Sequence, residues 1–306
     1  MGVTHAVALC VAAAWLALAP VTGRAEIPIG KAKLTLDVNG LPLEIHTYKP
    51  QGNAPQALLL VLHGVGRNAS GYRDHAAPLA ERGGFLVIAP LFDSARFPTW
   101  RYQWGGIVRS GSQSTSGAQI AEPEHAWTGQ LLIGIVDAVR MLEGAPALEY
   151  YLLGHSGGAQ ALSRIAAFMP MRAKRIVLAN AGTYLSASRD APFPYGFAGL
   201  PDALAGEAAL RAYLAQPITI LLGTADVRQD ADLSMREGAA QQGANRYERG
   251  LNAYRAAQAL AKARAWTFNW KLIEVPGVAH SAARMFRSDQ AFTALASAND
   301  APATSR

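Results

Sequence analysis

The sequence predicts one doubly wound α/β domain, a mostly parallel sheet that opens with an antiparallel N-terminal hairpin. Three observations predict it. Several short runs are apolar at every position, as strands buried on both faces require. Stretches with apolar residues at helical spacing separate these runs. Ahead of them, Asn39-Gly40 is flanked by alternating apolar residues, the pattern of a tight hairpin. Composition agrees with this reading. Half of the 306 residues are hydrophobic and 16% are charged, ample for a large core and wrong for a disordered or low-complexity chain. No internal repeat or long linker divides the chain, so residues 26–306 read as a single domain.

The first 25 residues read as an export signal outside that domain. Ala6 to Pro20 is apolar throughout, and small Gly23 and Ala25 stand where a signal peptidase needs them, so cleavage is expected after Ala25. An uncleaved membrane anchor is the alternative, because Gly2 to Gly23 is long enough to span a bilayer. Pro20 and the small residues after it favour cleavage, which would leave no stable anchor and place the protein outside the cytoplasm, secreted or periplasmic. Cleavage removes Arg24 and no acid, so 28 basic residues fall to 27 against 22 acidic ones, a net +5. These charges are scattered, which speaks for solubility and against a nucleic-acid site. The lone cysteine, Cys10, lies in the leader. Disulfides, a cysteine-ligated zinc and a cysteine nucleophile are thereby excluded from the mature chain.

In chain order, Lys31–Tyr48 is the hairpin, with Leu34, Leu36 and Val38 on one arm and Leu41, Leu43 and Ile45 on the other. Ala57–Leu62 and Phe85–Ala89 are the first buried strands. Trp127, Leu131, Ile135 and Val139 recur every fourth residue and mark a helix within Glu124–Glu143. Further strands follow at Tyr150–Leu153, Arg175–Ala179, Ile218–Leu222 and Trp270–Val275, with helices at Ala159–Phe168 and Leu251–Arg264. Phe92–Ile120, Thr183–Leu204 and Val227–Gly250 fit no element. In an α/β fold such excursions lie where ligands bind, so they are candidate substrate loops.

The strand Tyr150–Leu153 runs into Gly154-His155-Ser156-Gly157-Gly158, and a helix leaves it. Strand, sharp turn and helix form the setting of a nucleophile elbow, with Ser156 at its tip and glycines where only small residues fit. A serine hydroxyl attacks only when a base takes its proton. His280, after the strand ending at Val275, is the one histidine placed well beyond the serine in the chain. The acid belongs past the preceding strand, where Gly223-Thr224-Ala225-Asp226 offers Asp226; Asp230 and Asp232 are its rivals. Two backbone N–H groups are needed for the developing oxyanion: Gly157, directly after the serine, and Val65 in the loop His63-Gly64-Val65-Gly66. His63 reads as a residue that fixes this loop.

Aromatic residues cluster on two excursions. Trp100, Tyr102 and Trp104 on one, and Tyr184, Phe193 and Tyr195 on the other, are candidates for lining a substrate pocket; packing of the loops onto the body is the alternative. No metal-binding or nucleotide-binding pattern is present, so no metal and no cofactor is expected.

Together the hairpin, the His63-Gly64 loop, the Gly154–Gly158 elbow, Gly223-Thr-Ala-Asp226 and Pro276-Gly-Val-Ala-His280 resemble the α/β-hydrolase superfamily over essentially the whole mature chain. Within it the chain is similar to secreted bacterial esterases related to polyhydroxybutyrate depolymerases and feruloyl esterases. The chain departs from many polyester hydrolases in having Gly157, not a larger residue, after the serine. It also lacks the cysteines that secreted relatives use in disulfides. The resemblance implies a serine hydrolase acting on a small or polymeric carboxylic ester through an acyl-enzyme. Peptide cleavage or acyl transfer with the same three residues is the first alternative, and a non-catalytic protein on the same fold is the second.

Overall fold

In the computed structural model, residues 26–113 and 119–296 are described. The expected leader, residues 1–25, lies outside them. Among the described residues, ten strands and nine α-helices follow the chain order β1 (Gly30–Val38), β2 (Leu41–Lys49), β3 (Ala57–Leu62), α1 (Ala69–Gly83), β4 (Phe85–Pro90), β5 (Val108–Gln113), β6 (Gln119–Ala121), α2 (Thr128–Glu143), β7 (Tyr150–His155), α3 (Gly157–Phe168), β8 (Ile176–Ala179), α4 (Asp202–Ala205), α5 (Glu207–Leu214), β9 (Ile218–Gly223), α6 (Glu237–Ala240), α7 (Arg246–Arg264), β10 (Lys271–Val275), α8 (Ala282–Phe286) and α9 (Asp289–Leu295). Eight of the strands form one sheet in the order β1-β2-β4-β3-β7-β8-β9-β10. β1 and β2 pair antiparallel, as do β2 and β4, and the remaining pairs are parallel. This is the doubly wound α/β architecture with an antiparallel start that the apolar runs predict.

The sheet divides the core into two layers. Leu58, Leu60 and Leu62 of β3 face the layer that holds α2, α3 and α5, whereas Leu59 and Val61 face the layer of α1, α8 and α9. Every residue of β3, β4, β7 and β9 is buried, which explains why these strands read as unbroken apolar runs and not as alternations. Among the described residues no helix is long and apolar enough to cross a membrane.

Several regions differ from the sequence expectation: α4 and α6 lie in stretches read as irregular, and α5, α8 and α9 are not marked in the sequence. α1 is not marked by apolar spacing, because its buried face is Ala69, Arg73, Ala76, Leu79 and Ala80 and it carries Pro78 within it. Its ends are nonetheless written in the sequence. Asn68 accepts from Gly71 N–H at the start, and Gly84 takes the left-handed conformation at the finish. The excursion after β4 contains the two-stranded hairpin β5-β6, and α7 begins at Arg246, one turn and more before Leu251.

The strand order changes direction between β3 and β7. Chains leaving adjacent parallel strands in opposite senses open a crevice at their carboxyl ends. Leu62 of β3 stands opposite Gly154 of β7, so the loops that follow these two residues emerge side by side. The loops after β4, β8, β9 and β10 rise from the same edge.

Candidate active site

The elbow is built by backbone crowding. Ser156 has φ 55° and ψ −117°, a strained conformation for an L-residue, held because the chain must pass from β7 into α3 in one step. A Cβ on Gly158 would sit 2.2 Å from Leu62 O, and one on Gly154 would sit 2.5 Å from the carbonyl carbon of Gly158. Both positions therefore exclude any side chain. Ser156 N–H donates to Ala179 O across the sheet, and the serine is 6% exposed at the crevice.

The loop after β3 lies against this turn. A Cβ on Gly64 would be 3.5 Å from Ser156 Cβ, and one on Gly157 would be 3.2 Å from both Val65 N and Val65 Cγ1. The backbone nitrogen of Val65 thus lies close against Gly157, beside the serine turn. The Val65 side chain also fills the space that a larger residue at 157 would take, which accounts physically for the glycine after the serine. His63 fixes the loop from below. Its Nε2 accepts from Phe92 N–H, its Nδ1 donates to Gly64 O, and its carbonyl accepts from Tyr102 Oη at 2.6 Å. Burial pushes its pKa down to about 4, so the ring is neutral, as its accepting nitrogen requires.

His280 reaches the serine from the loop after β10. Its Nε2 is 3.1 Å from Ser156 Oγ and its Nδ1 is 2.7 Å from Asp226 Oδ2. Asp226 is 1% exposed. The two loops that carry these residues are stitched together. Thr224 N–H donates to Val275 O, Ala225 N–H to Val278 O, and Gly277 N–H to Thr224 Oγ1. Of the rivals, Asp230 faces Arg246, and Asp232 is exposed on the loop. Ser156, His280 and Asp226 are the set that the structure brings within hydrogen-bond reach.

His155 sits directly behind His280. The ring centroids are 4.7 Å apart, and His155 Nδ1 accepts from Tyr72 Oη at 2.9 Å. Burial holds the His155 imidazole well below its ordinary pKa and raises that of the Tyr72 phenol, so a neutral ring packs against His280. The phenol oxygen also lies where a Cβ on Gly64 would clash, at 2.7 Å. Tyr72 therefore touches both the elbow and the Val65 loop.

The aromatic candidates separate by burial. Tyr102, Tyr184 and Phe193 are 0%, 1% and 3% exposed, so they belong to the core and do not face a pocket. Tyr102 stacks on Phe92, Phe193 joins Phe168, and the backbone of Tyr184 is clamped on both sides by Gln242. Trp100, Trp104 and Tyr195 are half-buried. The first carries Arg109 over its ring at 4.7 Å, and the last packs on Gly238.

Several residues that shape the site carry no pattern in the sequence. Asn180 accepts from Gly223 N–H at 2.8 Å and donates to Ala279 O at 3.4 Å, joining the acid loop to the histidine loop. Arg164 is fully buried and forms no ion pair among the described residues; it is satisfied by the carbonyls of Gln160, Thr183 and Pro194 and by the Thr183 hydroxyl. Arg249 likewise donates to Gly182 O and Gly243 O. In the sequence, buried arginines are indistinguishable from solvated ones.

No protein-family model matches the chain, and no curated protein does. Solved structures do. A poly(aspartic acid) hydrolase from Sphingomonas sp. KT-1 is 33% identical, with a TM-score of 0.79 over 87% of this chain and 98% of its own. A poly(3-hydroxybutyrate) depolymerase from Bordetella parapertussis is 28% identical, with a TM-score of 0.76 over 90% and 100% of the two chains. An S-formylglutathione hydrolase from Staphylococcus aureus shares the fold at 15% identity, with a TM-score of 0.52 over 88% and 98%. With a third of its residues shared along nearly the whole of one such hydrolase, on the same elbow-bearing sheet, the chain belongs to the α/β-hydrolase superfamily.

Proposed function

We propose that the protein is an exported serine hydrolase that cleaves carboxylic esters through an acyl-enzyme intermediate. The observation that carries this reading is the unbroken chain from Ser156 Oγ to His280 Nε2, 3.1 Å, and from His280 Nδ1 to Asp226 Oδ2, 2.7 Å. In this reading His280 takes the proton as Ser156 Oγ attacks the carbonyl carbon. The tetrahedral oxyanion lies between the N–H groups of Val65 and Gly157. His280 then protonates the leaving alcohol, and water, deprotonated by the same imidazole, releases the acid and restores the serine. Asp226 holds the imidazole in the tautomer with Nδ1–H and stabilises its charged form. Export rests on the leader 1–25, with the mature chain starting at Glu26 and forming one catalytic domain.

The two relatives act on polymers made of hydroxy-acid or amino-acid units, which makes an oligomeric or polymeric acyl substrate the leading class. A second reading, hydrolysis of amide bonds in an acidic polymer, is favoured by the 33% identity to the poly(aspartic acid) hydrolase. One panel separates them: p-nitrophenyl esters of increasing acyl length, a polyester film, and poly(aspartic acid). Turnover of the esters with no release from poly(aspartic acid) supports the ester reading. Release from poly(aspartic acid) with inert esters supports the amide reading.

A further inference from the structure

Asp226 has a second neighbour that the proposed reaction does not use. Its Oδ2 meets His280, and its Oδ1 faces Arg246 Nη1 at 3.7 Å, with both side chains 1% exposed. Arg246 reaches further. Its terminal nitrogens take Asp230 in a fork, Nη1 to Oδ2 at 2.8 Å and Nη2 to Oδ1 at 2.7 Å. A guanidinium withdrawn from water is thereby held between two carboxylates, one of which, Asp230, is 35% exposed.

Local rules oppose a cation here. Arg246 is the first residue of α7, where the unpaired N–H groups of a helix end repel positive charge. Arg249, buried in the same turn, adds like charge. The Nε of Arg246 is buried and has no partner among the described residues. At a helix start and beside a second cation, the two carboxylates offset the cost of burying this guanidinium.

We propose that Asp230 and Arg246 form a counter-charge pair that sets how much negative charge Asp226 presents to His280, which makes both of them positioning residues of the triad. The proposal rests on the triad reading above. Standing alone beside Asp226, Arg246 would compete with the imidazolium for the carboxylate. The fork with Asp230 draws the guanidinium away and cancels its charge. The link from Asp230 to the histidine is direct as well as relayed. Hydrogen bonds from Arg246 chiefly hold the Asp230 carboxyl below its usual range, and the charge on His280 contributes.

Two further groups beside this cluster are uncharged. His155, stacked on His280, is kept neutral by burial, and the Tyr184 phenol near Asp226 is kept protonated by burial. Ser156 completes the surroundings on the substrate side. The charges that act on the imidazole from these elements are Asp226, Arg246, Asp230 and, behind Arg246, Arg249.

The two members of the pair must therefore act with opposite signs. Asp230→Asn removes a negative charge and frees Arg246 to close on Asp226, so His280 gives up its proton more readily. The acidic limb of the pH profile of kcat/KM moves to lower pH. Arg246→Gln removes the competing cation, and the limb moves to higher pH. Each displacement is about one to two pH units for one charge roughly 6–12 Å away acting through an effective dielectric near 20. General structural damage lowers the plateau without ordering the limbs in this way.

The experiment is a kcat/KM profile on a p-nitrophenyl ester for the wild type, Asp230→Asn, Asp230→Glu and Arg246→Gln. The expected result is a lower limb for Asp230→Asn with the alkaline plateau within about tenfold, a higher limb for Arg246→Gln, and the wild-type limb for Asp230→Glu. Limbs that stay in place, or that move in the same direction, overturn the proposal. If Arg246→Gln does not fold, Asp230→Asn decides alone, since it alters a partly exposed loop residue. Asp226→Asn run in the same assay separates the two readings. Undiminished activity there removes the triad reading itself, whereas a crippled Asp226→Asn beside an unmoved Asp230→Asn removes only the counter-charge pair.

Discussion

Ser156 is held in a positive-φ turn in which the glycines at 154, 157 and 158 leave room for the close approach of the backbone. Glycines at 154 and 158 are demanded by clashes of 2.5 Å and 2.2 Å with backbone, and a sequence records such demands directly. His280 and Asp226 were legible for a related reason: each follows a buried strand, and strand order fixes which loops meet. Asp230, Arg246, Asn180 and Tyr72 were not legible as partners, because their roles depend on tertiary distances that no spacing encodes. Ser156→Ala should abolish nearly all ester turnover, with an unchanged circular dichroism spectrum. Asp226→Asn should lower kcat by about 10²–10⁴-fold, as loss of an orienting carboxylate does in comparable triads. Gly158→Ala should cost about 2–3 kcal/mol in urea unfolding, because its new methyl must displace the β3 backbone.

Among the elements, the strands were legible as continuous apolar runs and the helices less so. α1 buries alanines, and its caps, Asn68 and Gly84, are better guides to it than hydrophobic spacing. The excursion after β8 is largely irregular in backbone yet pinned from inside. Arg164 on α3 donates to Thr183 and Pro194, and burial pushes its pKa down to about 10. Tyr184, Phe193 and Phe197 anchor the same segment in the core. Read from the sequence alone, these aromatics suggest a pocket wall, because an aromatic cluster on a loop looks the same whether it faces substrate or packs the loop down. Arg164→Met should strand several carbonyls at once and lower stability by about 2–4 kcal/mol. In a domain of this size that shifts Tm by roughly 5–10 °C. Limited proteolysis should then cut first within 183–201 while β7 and α3 stay intact.

For the molecule as a whole, acid stability follows from the buried neutral histidines. His63 has a folded pKa near 4 against an ordinary value of 6.5, and His155 is lowered as well. Between these values the unfolded chain binds protons that the folded chain refuses, so stability rises with pH across the window and is lost as pH falls from about 6.5 to about 4. His63 alone contributes about 3 kcal/mol. Urea midpoints measured through that window should fall steadily with acidification, and His63→Asn should flatten the slope. Midpoints that stay level would contradict neutral burial. The central claim, that Ser156 is a nucleophile activated by His280, is tested most directly by intact mass after treatment with a fluorophosphonate. The expected result is one adduct on a chain beginning at Glu26, mapped to Ser156, absent from Ser156→Ala and strongly slowed in His280→Ala. An unlabelled wild type, or an adduct that persists in Ser156→Ala, would contradict it.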